Sequence, residues 1–164
     1  MTQAERAFDD AVASFDYPMF IVTAAGASDR AGCLVGFATQ CSIDPAQFVV
    51  CLSHRNHTAE IAEAAEVLAV HVLRPGDEDI ARLFGEETGD DVSKFDRCAW
   101  RPGPAGVPVI DNLDWFAGRV RSRDDRGGDH TLYVLDVLPD GRSERRRGQL
   151  GYQSLESLDP GHDP

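Results

Sequence analysis

At 164 residues and a formal net charge of −12, the chain is long enough to bury one core and too acidic to offer nucleic acid a basic face. Hydrophobic residues make up 42%, and no stretch approaches the roughly 20 apolar residues that cross a bilayer. The N-terminus has no basic region followed by an apolar run, so no secretory signal is read and a cytoplasmic protein is expected.

Thr2 to Phe15 spaces Ala4, Phe8, Val12 and Phe15 as an amphipathic helix, which Pro18 ends. Tyr17 to Ala24 reads as a short strand rich in aromatic and β-branched residues, and Gly26 to Gly32 as a hairpin-like turn. Cys33 to Cys41 is read as the second strand. Gly32 and Gly36 leave its backbone without side-chain cover, which suits either a flat ligand on the main chain or a tight barrel corner. The turn at Ser42-Ile43-Asp44-Pro45 leads to a third strand, Phe48 to Leu52, read as buried on both faces. Ser53 to His57 is a polar loop, Thr58 to Ala65 a short helix, and Val67 to Leu73 a fourth strand in which the β-branched run outweighs helix propensity.

After the break at Arg74-Pro75-Gly76, Asp77 to Phe84 reads as a helix with Asp77 as its N-cap. Gly85 to Asp91 reads as a loop and Val92 to Phe95 as one helical turn, while Trp100 to Val109 is too proline-rich for a central strand. Leu113 to Arg123 alternates like an outer strand with one wet face, and His130 to Asp140 is the last clear strand. Beyond Gly141 the chain is polar, with a cluster Arg145-Arg146-Arg147, and a disordered tail is expected, in which only LGY (Leu150–Tyr152) could dock. The four cysteines, Cys33, Cys41, Cys51 and Cys98, suit buried thiols in a reducing compartment better than a disulfide framework or a zinc knuckle. Lys94 is the only lysine.

Three groups could carry chemistry. Ser53-His54-Arg55-Asn56-His57-Thr58 gathers hydroxyls, a guanidinium, an amide and imidazoles just before a helix, where N–H groups and the dipole favour an anion. The same residues could simply cap that helix. A metal on His54 and His57, with His71 or Cys51, is disfavoured because the short spacing lies in a loop and no carboxylate is close in sequence; none is expected. His130, after Gly127-Gly128-Asp129, could reach a pocket mouth and exchange a proton near neutrality, or be an ordinary turn histidine.

The order of elements resembles the flavin reductase-like family. The matching features are GCLVGFATQCSIDP, FVVCLSHRNHT opening a helix, VLAVHVL, DIARLFG, Phe95 with Trp100, VPVIDN, and GDH leading into HTLYVLDV. Each motif alone is common; their joint order, over about residues 15 to 140, is specific. The resemblance implies a mainly β fold with short helices, an antiparallel Greek-key FMN-binding split β-barrel. One domain would span residues 1–150, with a polar tail over 151–164. It further implies a homodimer binding FMN or FAD near the subunit interface. The isoalloxazine would lie along Leu34 to Cys41, on Leu34, Val35, Gly36, Phe37, Gln40 and Cys41, and Ser42 matches the family serine before the Asp-Pro turn, also counted as cofactor-binding. The phosphate would sit on Ser53, Arg55, Asn56 and Thr58, in the loop that also holds His54 and His57, and Phe84 would stand near the ring. His130 matches the histidine that lines the nicotinamide pocket of the family's reductases. The implied activity is NAD(P)H:flavin reduction, with a flavin-dependent monooxygenase as a possible recipient. The alternatives are a non-catalytic FMN carrier or electron-transfer protein, and a flavoenzyme acting directly on an organic substrate. The chain departs from the family pattern at Gly36, at Ala46 and in its hydrophilic C-terminus.

Overall fold

The computed structural model describes residues 1–86, 93–144 and 148–158. Its strands are β1 (Phe20–Ala25), β2 (Arg30–Val35), β3 (Ala38–Ser42), β4 (Gln47–Ser53), β5 (Val67–Val72), β6 (Trp100–Pro102), β7 (Pro108–Ile110), β8 (Asp114–Asp125) and β9 (His130–Arg142). Three helices accompany them: α1 (Gln3–Ala13), α2 (His57–Ala62) and α3 (Glu78–Glu86). Seven strands form one sheet in the order β2-β1-β5-β8-β9-β4-β3, and β6 pairs with β7 beside it. Every pairing is antiparallel.

The two outermost strands of that sheet, β2 and β3, are consecutive in the chain, separated by Gly36 and Phe37 alone. What reads in the sequence as one strand from Cys33 to Cys41 is therefore two. The backbone leaves one sheet edge at Val35 and joins the other at Ala38, with the Cys51 N–H donating to the Phe37 carbonyl as it arrives. Val22, Val35, Val50, Leu52, Leu68, Tyr133 and Leu135 meet inside the curled sheet in one buried cluster. Between β2 and β3 the barrel is closed by the chain itself and not by a ladder, so it is split there.

Other expectations are corrected by this topology. The strand read as outer from Leu113 to Arg123 is β8, which lies between β5 and β9. Its polar half is exposed, with Arg121 paired to Asp136 and Arg123 reaching the carbonyls of Ala62, which ends α2, and of Ala65 just past it. The strand read as buried on both faces is half-buried, since only Val50 and Leu52 of β4 are inaccessible. Cys41, read as a buried thiol, is exposed on edge strand β3. The expected tail from residue 151 docks as far as Leu158. Gly151 bridges Pro18, Tyr152–Leu155 makes a 3-10 turn, and Leu155 enters the cluster of Met19, Ile21, Phe84 and Ile110. Leucines at 150, 155 and 158 give this polar stretch an apolar side that the composition hides. Residues 87–92, 145–147 and 159–164, which include the arginine cluster and most of the Gly85–Asp91 loop, lie outside the described residues.

Two local devices hold the outer layer. His71 is fully buried; it accepts at Nε2 from the Ile110 N–H and donates from Nδ1 to the Ile21 carbonyl, each at 3.0 Å. It thus ties β1, β5 and β7 together, and burial holds its pKa down at about 4. Helix α1 carries a capping box between Thr2 and Glu5, yet buries none of its residues and leaves Phe8 65% exposed. No helix among the described residues is long and apolar enough to cross a membrane.

Candidate functional site

A cavity of about 580 Å³ opens where the barrel is split. One wall is the end of β2 and the link after it, Cys33 to Phe37; another is Cys51, Leu52 and Ser53 at the end of β4. Asn56, His130, Phe84 and Gly85 complete the barrel side, with Tyr17 and Met19 before β1. The remaining wall is built from the two ends of the chain: Asp9, Val12 and Ala13 on α1, and Tyr152, Leu155, Glu156 and Leu158.

Strand pairing explains the polar end. In the β4–β9 ladder Ser53 stands opposite His130, and the His54 N–H donates to the Asp129 carbonyl at 2.9 Å. The loop after β4 and the turn before β9 are thereby fixed together. Asn56 caps α2, its Oδ1 accepting from the Thr58 N–H at 3.3 Å, which leaves the amide Nδ2 as a donor. The His130 Nδ1 lies 2.6 Å from Asp129 Oδ1. A carboxylate only accepts, so Nδ1 carries the proton and Nε2 is the acceptor of the neutral ring. That hydrogen bond holds the Asp129 carboxyl below its usual range. Phe37, half exposed, leans on Tyr17 and on His130 with ring centroids 5.6 and 5.3 Å apart.

The apolar end is organised by glycine and by Lys94. A Cβ on Gly32 would stand 2.7 Å from Phe84 Cε1, so only glycine lets this ring pack against β2. The Gly32 carbonyl accepts from the Lys94 ammonium at 3.1 Å and so faces away from β1. In an antiparallel strand a residue's N–H and C=O point to the same side, and alternate residues share that side. Leu34 therefore offers its backbone groups to the same unladdered edge, at the cavity. Burial pushes up the pKa of both thiols in the cavity walls, Cys33 and Cys51, so neither is poised as a thiolate nucleophile.

Of the residues singled out in the sequence, Leu34, Val35, Gly36, Phe37, Ser53, Asn56, Phe84 and His130 line this cavity. Gln40, Cys41 and Ser42 lie beyond the split on β3, and Gln40 and Cys41 are exposed. Arg55 is exposed in the turn between Ser53 and Asn56. The His54 Nε2 is 3.0 Å from Thr131 Oγ1, and the His57 ring is held between Asp29 and Glu60, 3.0 Å from each. Thr58 is buried, and its hydroxyl faces the Cys33 thiol, offsetting part of the rise that burial gives that thiol. No group of three or more metal-ligating side chains gathers among the described residues. Sequence reasoning missed Tyr17, Met19, Cys33, Cys51, Leu52 and, apart from the docking it allowed for Leu150–Tyr152, the terminal wall. The spacing of Leu150, Leu155 and Leu158 was the available signal for the last.

A nucleotide-sized cavity at the split of an antiparallel barrel defines a class of binding protein, and comparison with known proteins narrows it. The model of the flavin reductase-like domain matches residues 12–154, and the chain belongs to that family. It is 33% identical over 141 residues to FMN reductase (NADH) RutF 2 of Rhizobium rhizogenes, covering 83% of this chain and 78% of that protein. The NADH:FAD oxidoreductase SgcE6 of Streptomyces globisporus superimposes with a TM-score of 0.78 at 25% identity, over 90% of this chain and 89% of that one. BorF, the flavin reductase component of a bacterial two-component tryptophan halogenase, gives a TM-score of 0.73 at 25% identity, over 87% and 89%.

Proposed function

We propose that the chain is an NADH-dependent flavin reductase whose cavity at the barrel split takes the isoalloxazine of FMN or FAD. One observation carries the reading. A cavity of about 580 Å³, within the range of small-molecule sites, has an unladdered strand edge along one wall and hydrogen-bond donors gathered at one end. The donor set fits the group. The Leu34 backbone can meet the polar edge of a flat heterocycle, and Val35, Leu52 and Phe84 supply apolar walls. Ser53 Oγ, Asn56 Nδ2 and the first N–H groups of α2 suit a phosphate, with the Arg55 guanidinium in the same turn. Asp9 and Glu156 lie on the terminal wall, where a phosphate would be repelled.

The flavin, when bound, supplies the two-electron acceptor, while the protein positions it against the nicotinamide. His130, held by Asp129 and leaning on Phe37, orients the nicotinamide at the cavity mouth. Hydride transfer needs no proton from it. The homologues named above favour NADH as donor. A homodimer, a cytoplasmic location and delivery of reduced flavin to a separate oxygenase or halogenase complete the proposal.

Purified protein with FMN should oxidise NADH, and absence of turnover with either flavin would sink the reading. His130→Ala should raise the KM for NADH about tenfold while leaving the FMN dissociation constant within about threefold, as loss of one hydrogen bond to the nicotinamide predicts. Equal loss of both would contradict its place.

A further inference from the structure

We infer that Phe37 is the aromatic plate against which the nicotinamide ring of the hydride donor packs, an assignment that rests on the flavin reductase reading above. Phe37 stands in the link where the chain leaves β2 and joins β3, at the barrel split. Its backbone is held on both sides. The Ala38 N–H donates to the Gly36 carbonyl at 3.2 Å, closing a three-residue turn about Phe37, and the Cys51 N–H donates to the Phe37 carbonyl at 2.9 Å. Gly36 seats this turn closely, since a Cβ there would stand 3.2 Å from Met19 Sδ. Two rings then fix the phenyl group itself. Tyr17 meets it edge to face, with centroids 5.6 Å apart and planes at 70°, and His130 meets it at 5.3 Å and 52°. Tyr17 is braced in turn by Phe15 and Tyr152, at 5.7 and 6.5 Å. Even so, Phe37 stays 52% exposed and lines the cavity.

A single exposed apolar side chain is ordinary on a protein surface. One that is immobilised from the backbone outward is different, because its ordering entropy is already lost before a ligand arrives. What such a ring gains from a ligand is apolar contact and ring packing, which suit a flat heterocycle. Two flat rings meet in this cavity during the reaction. The isoalloxazine has the Leu34 backbone at its edge and Val35, Leu52 and Phe84 as its walls. The nicotinamide is the ring that His130 orients, and the aromatic side chain packed on the His130 ring is Phe37. A nicotinamide held at His130 therefore has Phe37 as its neighbour. The two side chains divide the recognition: the imidazole meets a polar group, and the phenyl ring supports the apolar part of the same ring.

Steady-state kinetics with NADH at saturating FMN, beside fluorescence titration of oxidised FMN, separate the two rings. Phe37→Leu keeps an apolar side chain without the aromatic ring, and Phe37→Tyr keeps the ring. The Leu variant should raise the KM for NADH about fivefold while holding the FMN dissociation constant within about threefold, as loss of one aromatic pair predicts. Phe37→Tyr should stay within about twofold of wild type in both measurements. A phenyl ring that only braced His130 would act through the imidazole, so the Leu substitution is repeated in the His130→Ala background. There it should raise the KM by about fivefold again. No further rise would make Phe37 a positioning residue for His130 and overturn the assignment. Equal weakening of FMN and NADH would give the ring to the flavin, and a Leu variant with the wild-type KM would leave it without a ligand; either result overturns the proposal. A wild-type chain that binds no flavin, or binds it and oxidises no NADH, sinks the flavin reductase reading itself.

Discussion

Two leucines line the same cavity at nearly the same burial and are held there very differently. Leu52, 1% exposed, lies on β4, which is laddered to β3 on one side and β9 on the other. Leu155, 3% exposed, ends a 3-10 turn near the C-terminus. That turn is fastened by the Pro18–Gly151 bridge, the Tyr152 N–H on the Tyr17 carbonyl at 2.8 Å and the Gln153 N–H on Asp16 at 2.9 Å. Burial alone would rate the two alike. Their support says that the cavity has one wall continuous with the barrel and one wall docked onto it. The first can fix a ligand's position; the second can open without unfolding the protein.

The sharpest way to break that distinction is to truncate the inner leucine. Leu52→Ala removes a side chain from the cluster shared by Val22, Val50, Leu68 and Leu135, a neighbourhood that cannot collapse without moving several strands. We expect a loss of about 2–5 kcal/mol in denaturant unfolding, with an unchanged m-value. A loss below about 1 kcal/mol would mean that β4 is no more rigid than the chain termini.

The barrel wall is also the part that the sequence reveals. Runs such as Phe48–Leu52 and Val67–Val72 show their strand character because β-branched and aromatic residues pack well on a pleated surface, and the turns between them carry Gly, Asp and Pro. The loop from Ser53 to Thr58 is legible as a polar end because its residue types are unusual together. What each side chain there touches is not legible. Thr58 turns inward to Cys33 and His57 to Asp29, both partners distant in sequence. Nor does local sequence show that Cys33–Cys41 changes sheet edge at Gly36, since both halves have strand composition. The terminal wall is hidden for the opposite reason: its leucines are diluted among polar residues, and their partners, Met19 and Phe84, lie over a hundred and over sixty positions upstream.

Acid offers a second, milder test of the barrel side, through His71. The unfolded chain protonates this histidine near pH 6.5, whereas the folded protein keeps it neutral down to about pH 4. The folded state thus binds fewer protons across that window. The stability it contributes is complete above pH 6.5 and is lost as the pH falls toward 4, by about 3 kcal/mol in all. Denaturant midpoints measured from pH 7 to pH 4 should fall accordingly, and His71→Gln should start lower but decline less steeply. An equal slope in both proteins would assign the acid sensitivity to other groups.

The smallest effect on stability, and the most telling for the cavity, belongs to Leu155→Ala. Were the docked turn part of the cooperative unit, this substitution would cost as much as Leu52→Ala. If the turn can detach first, its loss is limited to the free energy of docking, and global unfolding should shift by less than about 1 kcal/mol. The change should instead appear locally. Amides of Tyr152 and Gln153, protected by their bonds to Tyr17 and Asp16, should exchange at least tenfold faster in Leu155→Ala. FMN should dissociate faster by a similar factor while its association rate is little changed, because the wall that retains it spends more time open. Leu52→Ala should loosen the same amides no more than it loosens the barrel as a whole. Should both variants instead lower global stability equally and leave flavin release unaltered, the two walls would be one, and a ligand would have to leave through an opening in the barrel.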